Sequence, residues 1–168
     1  GFPMFCVSIA FEQRGRIRLG AIYDPLRDEL FTAESGKGAA MNGGSLSVSG
    51  TSDLGRSLIA TGFPYDKRES PVNNLDHFQR FALRTQGVRR AGSAALDLAY
   101  VAAGRLDGYW ELKLSPWDVA AGVLLVQEAG GRVTDFSGGG DFIYSGEVVA
   151  ANAHIQREML DTLAEGLG

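Results

Sequence analysis

Cysteine is nearly missing from this sequence. With Cys6 alone among 168 residues, no internal disulfide can form and no cysteine-rich zinc site can be built. Positive charge is not in excess. Sixteen Lys and Arg stand against twenty Asp and Glu, for a net charge of −4, which argues against a nucleic-acid surface. It does not argue against a phosphorylated substrate, because a bound metal reverses the local field. No apolar run reaches the about 20 residues needed to cross a bilayer, and no charged-then-apolar leader opens the chain. Neither a G-x-S-x-G elbow nor a G-x-x-x-x-G-K-S/T phosphate loop occurs. Histidine is also scarce: His77 and His154 are isolated on expected helices and read as surface residues rather than as a base or a ligand.

What is present is an ordinary globular balance. The chain is 45% hydrophobic and 21% charged, enough for a packed core, in one domain or a large piece of one. The composition fits a reducing cytoplasm. Apolar and β-branched residues predict strands at 4–11 and 16–23, with Glu12-Gln13-Arg14-Gly15 as the hairpin turn between them. Asp24 to Asp28 reads as a turn, 29–33 as a third strand, and Gly36 to Gly44 as a turn-rich connection. Residues 57–61 predict a short buried strand. Leu75, Phe78, Phe81 and Ala82 recur at helical spacing within 73–85. Further strands are expected at 88–90, 107–112, 133–136 and 148–151. Further helices are expected at 93–103, at 116–129 (stopped by Gly130-Gly131) and at 154–163. A meander of strands followed by alternating helices and strands is a layered α/β or α+β domain. No repeat or linker divides it, so 1–168 is read as one unit.

The stretch Ser115-Pro116-Trp117-Asp118-Val119-Ala120-Ala121-Gly122 puts Ser at a helix N-cap and Pro at the first helical position. The helix that follows is apolar all round and should be buried. Asp118 is the only charge in its first two turns, and a buried carboxylate needs a partner. Two partners fit. One is a divalent cation, with hard oxygen ligands suiting magnesium; the other is the helix's own first amides, in a capping box. The run Ala120-Ala121-Gly122 predicts close approach of another backbone.

Glu111, seven positions before Asp118, ends a strand whose loop leads into that helix. It either shares a crevice with Asp118, as at many strand ends in α/β sheets, or is a solvated edge residue. A second helix starts at Gly92-Ser93-Ala94. There small residues leave N–H groups open to an anion or a sugar hydroxyl, or Ser93 is simply an N-cap. Of Arg89 and Arg90 just before it, only one can face the crevice. Asp97, inside the apolar helix, is expected to be a structural hydrogen-bonding group.

Three stretches together carry a resemblance. The segment from Arg90-Ala91-Gly92-Ser93-Ala94-Ala95-Leu96-Asp97 to Asp107-Gly108-Tyr109-Trp110-Glu111 resembles the substrate side of the inositol monophosphatase family. Pro116-Trp117-Asp118-Val119-Ala120-Ala121-Gly122, followed by Glu128-Ala129-Gly130-Gly131, resembles that family's W-D-x-A-A-G signature. Gly1-Phe2-Pro3 with Val7-Ser8-Ile9-Ala10 resembles the strand after its D-P-x-D-G-T signature, and Asp24-Pro25, Glu34 to Ala39 and Met41-Asn42-Gly43 fit in between.

The resemblance implies a layered α-β-α-β-α fold of the inositol monophosphatase and fructose-1,6-bisphosphatase type. It implies hydrolysis of a phosphorylated polyol, foremost inositol 1-phosphate, assisted by two or three Mg2+. It further implies Asp118 as a metal ligand and catalytic residue, Glu111 as acceptor for a polyol hydroxyl, and Gly92, Ser93 and Ala94 as the helix-start backbone against the ring. Arg89 is placed near the substrate. A cytoplasmic homodimer is implied, with no nucleic-acid and no membrane partner.

The departure from the family pattern is as informative. The acids of D-P-x-D-G-T and an upstream glutamate are not found. Asp24-Pro25-Leu26-Arg27-Asp28 has two acids at similar spacing, but Glu29-Leu30 follows where Gly-Thr belongs, and it lies beyond the Gly-Phe-Pro strand. The chain is therefore expected to be the C-terminal portion of such a domain, entered at Gly1 within a strand. It should lack a complete metal site, expose apolar surface where the missing N-terminal segment would pack, and be inactive alone. The rivals are a sibling phosphatase, acting on fructose 1,6-bisphosphate, a nucleotide bisphosphate or histidinol phosphate, and a non-catalytic binding or assembly module.

Overall fold

The computed structural model describes residues 1–165; the last three residues of the expected 1–168 unit lie outside it. Five strands form an antiparallel meander in the order β1 (Val7–Gln13), β2 (Arg16–Asp24), β3 (Glu29–Glu34), β4 (Gly38–Met41) and β5 (Gly44–Ser45). After it come β6 (Leu58–Thr61), α1 (Leu75–Arg84), β7 (Gly87–Arg89), α2 (Ala94–Ala102), β8 (Gly108–Glu111), α3 (Pro116–Glu128), β9 (Arg132–Thr134), β10 (Val148–Ala151) and α4 (Gln156–Ala164). The second sheet runs β7-β6-β8-β10-β9, with β6 parallel to β7 and β8, and β10 antiparallel to β8 and β9.

Strand periodicity sets the layers. In β2, Gly20, Ile22 and Asp24 face inward with Phe31 and Ala33 of β3, onto α3. In the second sheet, Ala60, Tyr109, Val148 and Ala150 face α2 and α3 and join the same core as Ile22 and Phe31. The alternate residues Ile59, Trp110, Val149 and Ala151 form a separate core with Phe81 of α1 and Met159 of α4. The order is thus sheet, helix pair, sheet, helix pair. α3 is apolar all round because it is covered on both sides, whereas α1 and α4 each turn one face to solvent.

The small residues of α3 allow the close approach that the sequence implies. A Cβ added at Gly20 would lie 2.9 Å from the Ala121 carbonyl oxygen, and one at Gly122 would lie 2.5 Å from Leu98 of α2.

Four of the five expected layers are built by the described residues. On the far side of the first sheet, Val7, Ile9, Phe11, Leu19 and Leu30 are exposed, Ile9 by 63%. The apolar face expected from the sequence lies here.

Three local expectations are corrected. The first strand begins at Val7 rather than residue 4, because its partner β2 ends at Asp24 and Val7 pairs with Tyr23; it then runs on to Gln13, so that only Arg14-Gly15 turn the hairpin, both at positive φ. The segment expected to be a connection at 36–44 contains β4 and leads into β5. Asn42-Gly43, both at positive φ, make the two-residue turn between them. Lastly, His154 sits in the turn ahead of α4 rather than on a helix, while His77 on α1 is half-buried, edge-on to Phe136 at 5.6 Å.

Candidate active site

A crevice of about 750 Å3 opens where β6 and β8 end and where α2 and α3 begin. Its walls are held by buried polar contacts. Trp110 of β8 is fully buried against Phe81, ring centroids 4.1 Å apart, and its indole N–H donates to Asn74 Oδ1 at 2.8 Å. The Asn74 amide in turn donates to the Gly62 carbonyl at 2.6 Å and to Thr61 Oγ1 at 2.9 Å. The α1 start thereby fixes the end of β6, which forms one side of the crevice. Gly62 has no side chain for a specific reason: a Cβ there would lie 2.1 Å from the Glu111 carboxylate.

Glu111 ends β8 and lines the crevice, half-buried. Tyr109, two residues earlier and therefore on the same face, donates its hydroxyl to Glu111 Oε2. Burial is the main cause raising the Glu111 pKa, and Asp118 adds to it. The Tyr109 hydroxyl and the Arg90 guanidinium act the other way. Full burial next to Glu111 pushes the Tyr109 phenol far above its usual range, so it remains a donor.

Asp118 lines the same crevice in the first turn of α3. Its Oδ2 accepts from the Ser115 amide at 2.9 Å, and the Asp118 amide donates to the Ser115 carbonyl at 2.9 Å. The capping contact that the sequence allowed is therefore present. It occupies only one carboxylate oxygen, and Oδ1 makes no hydrogen bond among the described residues. Asp118 thus fits a metal as a single hard-oxygen ligand. Among the described residues no group of three or more His, Cys, Asp or Glu is arranged to hold one, so a metal would need further ligands.

At the other helix start, Gly92 takes a positive φ of 111°, which favours glycine. Ser93 caps α2, its Oγ accepting from the Leu96 amide at 3.4 Å. That leaves the Ala94 and Ala95 amides free at the positive end of the helix. Gly92, Ser93 and Ala94 all line the crevice, together with Cys6, whose Sγ lies 3.5 Å from Ser93 Oγ.

Arg89 does not line the crevice. It ends β7 exposed, and the lining arginine is Arg90, which lies just past the strand and is also exposed. Asp97 is not the hydrogen-bonded structural group expected. It is 2% exposed, lines the crevice, and its carboxyl makes no hydrogen bond among the described residues. Glu111 and Tyr109 face it, and the Tyr109 hydroxyl donates to Glu111 instead. Sequence reasoning also missed Gly62 and Tyr109. The i,i+2 spacing of Tyr109 and Glu111 was the available signal for Tyr109; nothing local signals Gly62.

Two stacked sheets around a helix pair, with a polar crevice where strands end and helices begin, define a layered α/β protein of the kind that holds small polar ligands at such points. The model of the inositol monophosphatase family matches residues 1–167. An inositol-1-monophosphatase of Mesorhizobium japonicum is 50% identical over 167 residues, covering 99% of this chain and 63% of its own length. A protein of Pseudomonas aeruginosa named Nus factor SuhB is likewise 50% identical, over 97% of this chain and 61% of its own. Among solved structures, inositol monophosphatase from Anabaena superposes with a TM-score of 0.94 at 51% identity, over 96% of this chain and 64% of that one. The chain belongs to the inositol monophosphatase family. It spans a little under two thirds of the length of these relatives.

Proposed function

We propose that the protein is a Mg2+-dependent phosphomonoesterase acting on a hydroxyl-rich substrate, foremost inositol 1-phosphate, as a cytoplasmic homodimer. The observation that carries this reading is the half-used carboxylate of Asp118, poised at the mouth of an apolar helix in a crevice it shares with Glu111 and the α2 start. Bound at Asp118, the metal would supply Lewis-acid stabilisation of the phosphate and a water nucleophile near neutral pH. Glu111, held by Tyr109, accepts a hydroxyl of the polyol. The free amides at the start of α2 face its oxygen atoms. Arg90, rather than Arg89, adds positive charge at the rim.

The other metal ligands belong, in this reading, to the part of the family domain that the relatives have and residues 1–168 do not span. Such a segment would also cover Val7, Ile9 and Phe11 on the open face of the first sheet. The test pairs two proteins. Residues 1–168 alone should show no Mg2+-dependent release of phosphate from inositol 1-phosphate. The full-length protein should, and Asp118→Asn should lower that turnover about 100-fold or more while weakening Mg2+ binding. Absence of Mg2+-dependent turnover by the full-length protein would refute the phosphatase assignment; turnover by residues 1–168 alone would refute the need for further metal ligands, and an undiminished Asp118→Asn would refute the role of Asp118.

The name Nus factor on several relatives favours a second reading, a non-catalytic binding or assembly module. Calorimetry of the full-length protein with Mg2+ and inositol phosphate separates the two, since the module reading expects no heat of binding.

A further inference from the structure

Asp97 is a cost that the core of this fold does not need. It sits in α2 among Ala95, Leu96, Leu98 and Ala99, all buried. Its Oδ1 is the only fully buried side-chain oxygen or nitrogen without a hydrogen-bond partner among the described residues. An unpaired buried polar atom costs about 1–3 kcal/mol, and local rules are broken in this way chiefly at functional positions. Oδ2 has no partner either and is not fully enclosed, so it is the oxygen that reaches the crevice. The charged and titratable groups around it are Glu111 and Tyr109 of β8 and Arg90 ahead of α2. None of them bonds to it.

The geometry points to Asp97 as a second recognition group of the crevice, pairing through its unbonded carboxyl with a hydroxyl of the substrate next to the one taken by Glu111. The assignment rests on the phosphatase reading and deepens it. The electrostatics agree. Burial, with Glu111 nearby, raises the Asp97 pKa to about 8, against a smaller opposite pull from Arg90. At pH 7 the group is therefore mostly neutral. It offers both a donor and an acceptor, and adds no second negative charge to repel the phosphate.

The test uses the full-length protein with Mg2+ and two substrates, inositol 1-phosphate and p-nitrophenyl phosphate, which has no hydroxyls to recognise. Asp97→Leu should lower the ratio of kcat/KM for the first over the second about tenfold, mainly through KM, as expected for loss of one hydrogen bond. Asp97→Asn, whose amide also donates and accepts, should hold the ratio within about threefold of the parent. Should Asp97→Leu not fold, Asp97→Ala is read in the same way. Deoxyinositol phosphates give an independent arm: one of them should be discriminated against by the parent but not by the apolar variants. An unchanged ratio, or an equal fall on both substrates, overturns the role of Asp97 and leaves the phosphatase reading standing. A parent that turns over neither substrate refutes the phosphatase reading and this assignment with it.

Discussion

Replacing Asp97 by asparagine should stabilise the protein, and by an amount that grows with pH. The carboxyl has a pKa of 3.8 in an unfolded chain and about 8 in the fold, raised first by burial and then by Glu111. Below pH 4 both states hold the proton and ionisation of Asp97 does not affect folding. Between pH 4 and 8 the folded state keeps a proton that the unfolded state has released, so stability falls as pH rises, at about 1.4 kcal/mol per pH unit for one proton. Carried to pH 7, the full shift corresponds to about 4 kcal/mol. Structural relaxation and water penetration reduce the penalty for buried charge, so the expected gain of Asp97→Asn over the parent is about 1–3 kcal/mol at pH 7. At pH 4 the pH-dependent part of the gain vanishes. Urea unfolding of both full-length proteins at pH 4.5, 6, 7 and 8 measures this. Glu111 and the other titrating groups are common to both proteins and largely cancel in the difference. A difference that stays constant across the series would refute the reasoning, because it would mean that Asp97 titrates normally.

Two further substitutions separate site from scaffold. Gly62→Ala should push the Glu111 carboxylate away from its place beside Tyr109, since the new Cβ would lie within 2.1 Å of it; KM for inositol 1-phosphate should rise severalfold in the full-length protein, with a cost in urea stability below about 2 kcal/mol, because a side-chain end can yield where a backbone cannot. Gly20→Ala meets backbone instead, the Ala121 carbonyl at 2.9 Å, and should cost about 1–3 kcal/mol by urea unfolding while leaving the ratio between substrates unaltered.

The sequence alone was enough for much of the architecture, and the reasons are local. Strand and helix periods separated the meander from the later helices, and Ser115-Pro116 marked the start of α3 within a residue. The all-round apolar character of α3 announced that it would be covered on both sides, and its Ala120-Ala121-Gly122 run announced the close contact with β2. Glu111 and Asp118 could be joined because a strand end and the next helix start are neighbours along the chain. Asn42-Gly43 is the dipeptide a two-residue hairpin turn favours, but it lies in a run of glycines that reads equally well as a loop.

Tertiary structure decided what depends on residues distant in sequence. Nothing near Gly62 foretells that Glu111, 49 positions later, needs the space of its missing side chain. Which of Arg89 and Arg90 lines the crevice depends on the course of the chain from the end of β7 to the start of α2, and it is Arg90, past the strand end, that lines it. The character of Asp97 depends on the second sheet. Local sequence shows an acid in an apolar helix, but only the packing of β8 against α2 puts Glu111 and Tyr109 opposite it, with their one exchangeable hydrogen bond already spent on each other. Periodicity is written into the chain because it is a property of neighbouring residues; the state of a buried carboxyl is set by whatever long-range packing brings against it.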